Sequence, residues 1–125
     1  MSDTSATDHG VDESALASLR ALDGDDDPQF YGRVLRKFLV QGERVLADLR
    51  AALAVRDATA LARTAHGWKG SSGQLGVRHV YAACVEVEAA AKRGDVPACV
   101  AAVAAAEAAF ARARARLERE AAPQA

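Results

Sequence analysis

The sequence predicts an all-α protein, an antiparallel up-down-up-down four-helix bundle with a short additional N-terminal helix. Half of the 125 residues are hydrophobic, and proline occurs only three times. Alanine and leucine are abundant in the hydrophobic half, which favours helices because both residues lose little conformational freedom there. Four long segments with helical apolar spacing are separated by short breaks, so consecutive helices should be antiparallel neighbours.

Aspartate residues mark the starts of the first two helices. Asp12 can accept backbone N–H hydrogen bonds at the start of a short helix over residues 13–22. The residues predicted to face inward from this helix are Leu16, Leu19 and Leu22. Asp27 followed by Pro28 predicts a long second helix over residues 28–55, because proline fits the first helical turn.

The third and fourth helices are joined by a glycine turn. Asp57 can cap a third helix over residues 58–75, and Gly76 is placed to end it in the left-handed conformation. A fourth helix over residues 77–92 follows almost at once and ends before Gly94. Its predicted inward residues are Val77, Val80, Tyr81, Cys84, Val87 and Ala91.

A fifth helix completes a single domain. Asp95 can cap it, Pro97 is tolerated in its first turn, and it extends over residues 96–121. Residues 1–10 have no apolar periodicity and are predicted to be a flexible tail. The folded domain is therefore expected to span residues 11–121.

The composition argues against several classes of protein. A formal charge of −1 provides no field for nucleic acid or for an anionic membrane. Cys84 and Cys99 lack metal-binding spacing and are expected to be reduced core thiols, and the polar N-terminus has no signal-peptide pattern. The longest weakly polar run, residues 96–106, is too short for a bilayer, which needs about 20 apolar residues. We therefore expect a cytoplasmic protein.

The third helix carries an unusual outer face. Its predicted buried stripe consists of Leu61, Ala65, Trp68, Ser72 and Leu75. His66 points away from that stripe, and Lys69, Gly70 and Gly73 lie beside it. Glycine within a helix costs about 1 kcal/mol relative to alanine, but bare backbone lets another protein approach closely. The pattern indicates either an exposed reactive histidine or an ordinary surface histidine in a glycine-rich helix.

The residues around His66 resemble a known signature. His-x-x-Lys-Gly-Ser-Ser, followed by Leu75-Gly76, is similar to the motif of histidine-containing phosphotransfer (HPt) domains, the relay modules of phosphorelay signalling. The resemblance extends over about residues 11–117. Gly67 replaces a better helix former, and Trp68 stands where the family mostly has leucine. Both departures should alter local packing rather than chemistry.

The resemblance implies a phosphorelay intermediate. His66 would accept a phosphoryl group from the receiver-domain aspartate of a hybrid histidine kinase and pass it to the aspartate of a response regulator. The receiver would supply Mg²⁺, so no cofactor is expected in this chain, and Lys69 would reach the phosphoryl oxygens. The sequence has no nucleotide-binding motif. We therefore expect a monomeric phosphocarrier rather than a kinase.

Glu88 and three further residues complete the predicted site. Glu88 places a carboxylate on the apolar stripe of the fourth helix, where a charge is costly without a partner. HPt domains often have Glu or Gln here, which implies that Glu88 accepts from Nδ1 of His66 and leaves Nε2 for phosphorylation. The alternative is that Glu88 extends to solvent. The residues expected to contact a docked receiver are Gly70, Gly73 and Arg63.

Two other functions remain open on the sequence. A dimerising histidine-kinase helix pair usually has an acidic residue after the histidine and a proline nearby, whereas this chain has Gly67. A helical adaptor that binds a partner without phosphotransfer would leave the face formed by His66, Lys69 and the glycines unexplained. No metal site is expected, because His9, His66 and His79 share no ligand spacing.

Overall fold

The computed structural model describes residues 10–122, which contain five helices and no strand. The helices are α1 (Glu13–Arg20), α2 (Phe30–Ala54), α3 (Ala58–Leu75), α4 (Arg78–Arg93) and α5 (Val96–Ala121). Each of α2 to α4 packs against the next helix, α5 packs back on α2, and α1 contacts α2 and α3. The predicted all-α bundle is confirmed. Residues 1–9 of the predicted tail lie outside the described part of the chain, and Gly10 is buried.

Helices α3 and α5 have the predicted bounds because their end signals act as the sequence indicates. Asp57 and Asp95 each accept a hydrogen bond from the backbone N–H three residues later, at 3.0 and 3.1 Å. Gly76 and Gly94 end α3 and α4 with φ of 73° and 71°, a conformation that residues with a Cβ adopt only at a cost.

The prediction that α2 begins at residue 28 is wrong, although the Asp27 carboxylate accepts a hydrogen bond from the backbone N–H of Gln29. The helix begins at Phe30 rather than at residue 28, and the Asp27 carboxylate pairs with Arg33. The backbone N–H of Tyr31 donates to Oδ1 of Asp23 at 2.7 Å. A carboxylate from the loop before the helix therefore satisfies a free N–H group at its start.

Two residues predicted to face inward are exposed. Leu22 is 64% exposed, because α1 ends at Arg20 and leaves this leucine beyond the helix. Tyr81 is 43% exposed, and its ring lies against Gly73 of α3 instead of entering the core. The other predicted inward residues of these two helices are buried or partly buried.

An aromatic cluster fills the bundle beneath α3. Phe38 of α2, Trp68 of α3 and Phe110 of α5 contact one another, with ring centroids 5.5 to 6.2 Å apart. Gly42 makes room for the cluster, because a Cβ there would lie 2.4 Å from the Phe110 ring. The buried Trp68 fixes the rotation of α3 about its axis and so directs His66, two residues earlier, outward.

The segment before α1 is attached to the turn between α3 and α4. The N–H of Asp12 donates to the carbonyl of Gly76 at 2.7 Å. The N–H of Arg78 donates to the carbonyl of Gly10 at 2.8 Å. These bonds hold the entry to α1 against the end of α3.

Both cysteines are buried thiols without a disulfide, as predicted. Burial raises the pKa of Cys84 to about 12, so its thiolate is scarcely populated at neutral pH. Within residues 10–122, no three His, Cys, Asp or Glu side chains are arranged as a metal site.

A network of charged residues joins α1, α2 and α5. Glu120 accepts a hydrogen bond from the Tyr31 hydroxyl at 2.7 Å, and it pairs with Arg20 and, at 2.6 Å, with Arg116. Arg116 also pairs with Glu13 at 2.6 Å. Burial alone would raise the pKa of Glu120, but the hydrogen bonds from these three partners lower it to about 2.

Helix α5 is long and apolar enough to cross a membrane by length and composition alone. An 18-residue window of this helix has a mean hydropathy of 1.5. The apolar part of the helix is therefore longer than the run over residues 96–106 predicted from the sequence. Of this window, 39% is buried inside the bundle, and the core helix of a bundle has a similar composition. One such helix among the described residues is weak evidence for a membrane span.

Candidate functional site

The outer face of α3 presents His66 to solvent. Its side chain is 67% exposed, and Arg63, one turn earlier, is also exposed. The opposite face is buried and consists of Leu61, Ala65, Trp68, Ser72 and Leu75. The outward direction of His66 predicted from helical periodicity is therefore confirmed.

Glu88 of α4 lies directly beside the imidazole. Its Oε2 is 3.1 Å from Nδ1 of His66, and its side chain is only 13% exposed. Two lysines contact the same carboxylate: Nζ of Lys69 donates to Oε1 at 2.9 Å, and Nζ of Lys92 lies 3.2 Å from Oε2. The hydrogen bonds from Lys69, then Lys92, lower the pKa of Glu88 to about 2. The carboxylate is therefore ionised at neutral pH.

The ionised carboxylate decides which ring nitrogen carries the hydrogen. Glu88 can only accept, so Nδ1 of His66 carries the hydrogen in the neutral ring and the free electron pair lies on Nε2. Among residues 10–122, Nε2 has no hydrogen-bond partner. The nucleophilic nitrogen of an exposed ring is thus left available.

Lys69 is held beside His66 by the same carboxylate. Its side chain is 27% exposed, and the hydrogen bond to Glu88 raises its pKa, so it remains a cation. A phosphoryl group on the imidazole would lie within reach of this flexible ammonium. The structure therefore brings together His66, Lys69 and Glu88, the three residues that the sequence assigns to the reacting centre.

The glycines near His66 differ in their surroundings. Gly67 and Gly70 have no atom within 4 Å of the place where a Cβ would be, so the backbone there is open. Gly73 is partly covered, because its Cβ would lie 3.3 Å from two ring carbons of Tyr81. The backbone is open at Gly70, and Gly73 is also exposed, with the Tyr81 ring against one side of it.

Two residues of this surface were missed by sequence reasoning. Lys92 follows Glu88 by four residues on α4, and that spacing, which places both on one helical face, is the signal that identifies it. Tyr81 was assigned to the core because it shares a stripe with buried residues. With Val85, which is 38% exposed, it forms an apolar strip beside Glu88.

The fold and the site together define a class of protein. A four-helix bundle that presents one exposed imidazole, beside a lysine and a carboxylate that orients the ring, has the arrangement of a histidine phosphocarrier. Comparison with known proteins identifies the family. The family model described as Hpt domain matches residues 33–119, and the chain belongs to this family. The resemblance to HPt domains seen in the sequence is confirmed.

A solved structure shares the fold. The crystal structure of histidine-containing phosphotransfer protein B (HptB) from Pseudomonas aeruginosa PAO1 matches with a TM-score of 0.82 and 34% sequence identity. The match covers 90% of this chain and 94% of that chain. The similarity therefore includes the whole bundle and not the motif alone.

Two curated proteins are similar in sequence. The chain is 31% identical over 78 residues to Multistep phosphorelay regulator 1 of Schizosaccharomyces pombe. It is 30% identical over 92 residues to Histidine-containing phosphotransfer protein 1 of Arabidopsis thaliana. These matches cover 62% and 72% of this chain. The chain spans 26% of the length of the first relative and 60% of the second.

Proposed function

We propose that this chain is a phosphorelay intermediate that carries a phosphoryl group on Nε2 of His66. The observation that carries the proposal is the exposed imidazole whose Nδ1 lies 3.1 Å from Oε2 of the largely buried Glu88 side chain. Membership of the Hpt family supports it. The names of both curated relatives and of the matching structure refer to phosphotransfer or phosphorelay.

The proposed reaction transfers a phosphoryl group between a carboxylate and an imidazole. Nε2 of His66 attacks the phosphorus of a receiver's aspartyl phosphate, the N–P bond forms as the P–O bond breaks, and the aspartate leaves as a carboxylate. The Nδ1 hydrogen stays on the ring, where Glu88 stabilises the positive charge that the ring gains. Lys69 turns toward the phosphoryl oxygens. The reverse steps pass the group to the aspartate of a response regulator.

The proposed partner in both steps is a receiver domain. It supplies the aspartate, and the Mg²⁺ bound with that aspartate would offset charge on the phosphoryl oxygens. The open backbone at Gly70 and the exposed Arg63 support docking of another protein around His66. We further propose that the protein is cytoplasmic and has no kinase activity. We also propose a monomer, because one exposed histidine is sufficient for a carrier.

Phosphotransfer from a phosphorylated receiver domain tests this function. The wild-type chain should acquire label, and His66→Gln, which keeps a polar side chain at the position, should acquire none. Circular dichroism of both proteins shows whether the bundle is intact. Equal labelling of the two proteins would refute the proposal. Binding of receivers by the wild-type chain without any labelling would favour the adaptor function.

A further inference from the structure

We propose that Tyr81, lying on Gly73, is a contact residue for the receiver domain and helps to determine which receivers dock. The inference rests on the proposed phosphotransfer by His66. The two residues face each other across α4 and α3, because a Cβ on Gly73 would lie 3.3 Å from both Cδ2 and Cε2 of the Tyr81 ring. Glycine at this position therefore lets the ring lie close against the α3 backbone.

Tyr81 presents more surface to solvent than the other large aromatic side chains of the bundle. It is 43% exposed, and its hydroxyl has no hydrogen-bond partner among the described residues. The buried aromatic residues are Tyr31, Phe38, Trp68 and Phe110. A tyrosine side chain has only two torsions to fix on binding, and tyrosine is enriched among residues that dominate interfaces.

The position of Tyr81 places it under any protein that docks on His66. Gly73 follows His66 by seven residues, so it lies on the same face of α3 at about 10 Å along the axis. A standard interface buries about 800 Å² on each partner, which corresponds to a disc of about 16 Å radius. A receiver centred on Nε2 of His66 therefore covers the Tyr81 ring.

Tyr81 also begins a strip that leads to the reacting centre. Val85, Glu88 and Lys92 follow it on one line of α4, at steps of four, three and four residues. The strip is apolar at Tyr81 and Val85, and it ends at the carboxylate and ammonium groups beside His66. A partner that brings an anionic phosphoaspartate to His66 would contact the lysine end with that charge and the apolar end with its flanking surface.

This geometry gives Gly73 a different part in docking from that of Gly70. The open backbone at Gly70 lets the receiver itself approach the imidazole. Gly73 is exposed but has the Tyr81 ring against one side, so it contributes by letting that ring lie close to the α3 backbone. The effects of changing Gly73 and Tyr81 should therefore depend on each other.

The first experiment compares a protein donor with a small donor. We expect Tyr81→Ala to raise KM for a phosphorylated receiver domain about tenfold and to leave kcat within about twofold, as for the loss of one interface anchor. Tyr81→Phe, which keeps the ring, should stay within about threefold of wild type. Labelling of His66 by phosphoramidate, which needs no docking, should be unchanged in both variants.

A matched control and a fold check accompany these variants. Val100→Ala removes a 50% exposed apolar side chain from α5, a helix that supplies no residue of the site, and should leave KM unchanged. Circular dichroism and thermal melting should show an intact bundle in every variant. A wild-type KM for Tyr81→Ala would overturn the contact role, and a tenfold rise for Tyr81→Phe would overturn the assignment to the ring.

The second experiment uses a double-variant cycle. Gly73→Ala should raise KM several-fold when Tyr81 is present, because the methyl group displaces the ring, and should have little effect in the Tyr81→Ala background. Additive effects would overturn the placement of the ring on Gly73. If the wild-type chain accepts no phosphoryl group from any receiver, the proposed function itself is refuted. The results for the Tyr81 and Gly73 variants bear only on the docking role of Tyr81.

Discussion

At the scale of single residues, one carboxylate organises the site. Oε1 of Glu88 holds Lys69, while Oε2 is shared by His66 and Lys92. Two lysines against one carboxylate leave a net positive charge before phosphorylation. A phosphoryl group adds up to two negative charges at the imidazole, so the ammonium groups that hold Glu88 are already placed to balance it.

Removal of one ammonium should slow the reaction without stopping it. We expect Lys69→Ala to lower the rate of transfer from a phosphorylated receiver on the order of a hundredfold, because one cation is lost from the transition state. The orientation of His66 by Glu88 remains, so a residual rate should be measurable. Single-turnover transfer at saturating receiver gives this rate. Lys37→Ala, in a lysine on α2, is the control, and a wild-type rate for Lys69→Ala would remove Lys69 from the site.

The reacting residues were predictable from the sequence, whereas Tyr81, one of the two surface residues that were missed, was not. Helical periodicity alone separates His66 from the buried stripe, and the family resemblance adds the pairing with Glu88. Periodicity assigned Tyr81 to the inner face because an angle about the helix axis does not say whether a neighbouring helix covers that angle. The ring packs against Gly73 of α3. This contact between two helices cannot be predicted from the pattern of a single sequence.

At the scale of helices, we expect receiver docking to depend on the uncovered backbone of α3 at Gly70. We expect Gly70→Leu to lower transfer from a receiver at least tenfold, because a large side chain would stand where the partner approaches. The fold should not suffer, since leucine is a better helix former than glycine. Phosphoramidate labelling of His66 should persist.

The control for this substitution lies on another helix. Ala104→Leu adds a large side chain to an exposed position of α5, and it should leave transfer unchanged. Thermal melting should show both variants to be folded. An unaltered receiver rate for Gly70→Leu would contradict the role of open backbone at this position.

Two glycines that end helices provide a matched pair for stability. Alanine in the left-handed conformation costs about 1 to 2 kcal/mol, and Gly94→Ala should lose about that much because no atom lies within 4 Å of the new Cβ. At Gly76 the Cβ would lie 2.7 Å from Ala15 and 2.8 Å from Asp12. Gly76→Ala should therefore lose a further 1 to 3 kcal/mol, roughly the cost of overpacking. Urea unfolding measures both, and equal losses would be inconsistent with the crowding at Gly76.

Helix ends were predictable where the signal is local. Asp57 and Asp95 cap the helices that they precede, and the bounds of α3 and α5 follow. The start of α2 was not predictable in this way, because Asp23, eight residues before Tyr31, provides the acceptor. Asp27 accepts from the backbone N–H of Gln29 and also pairs with Arg33, a partner that the capping rule does not include.

At the scale of the whole molecule, acid should weaken the junction of α1, α2 and α5. The pKa of Glu120 falls from 4.5 to about 2 on folding. Its ionised form therefore stabilises the fold above about pH 5, and this contribution is lost as the pH falls toward 2. Glu120→Gln should be less stable than wild type at pH 7, and the difference should shrink as the pH is lowered.

Urea unfolding at pH 7, 5 and 3 measures this difference. Glu86→Gln, which removes an exposed carboxylate from α4, is the control and should change stability little at any of these pH values. A Glu120→Gln deficit that stays constant between pH 7 and pH 3 would contradict the assignment of the acid sensitivity to this network.

The bundle as a whole was predictable because the lengths of the connections and the amino-acid composition are sufficient to define it. Short connections require neighbouring helices to be antiparallel, and an alanine-rich, proline-poor composition favours helices throughout. The apolar stripe of α3 places Trp68 inside and His66 outside. The attachment of the segment at Gly10 to the α3–α4 turn was not predictable, because two backbone hydrogen bonds between distant residues leave no pattern in side chains.

The aromatic cluster beneath α3 has a practical consequence. The chain contains one tryptophan, Trp68, and it is 1% exposed. Its fluorescence should shift to longer wavelength only when the interior opens to water, because the indole and the imidazole of His66 project from opposite sides of the same helix. Phosphorylation of His66 can therefore be followed by a radioactive label, and unfolding of the bundle by Trp68 fluorescence, in the same sample without interference.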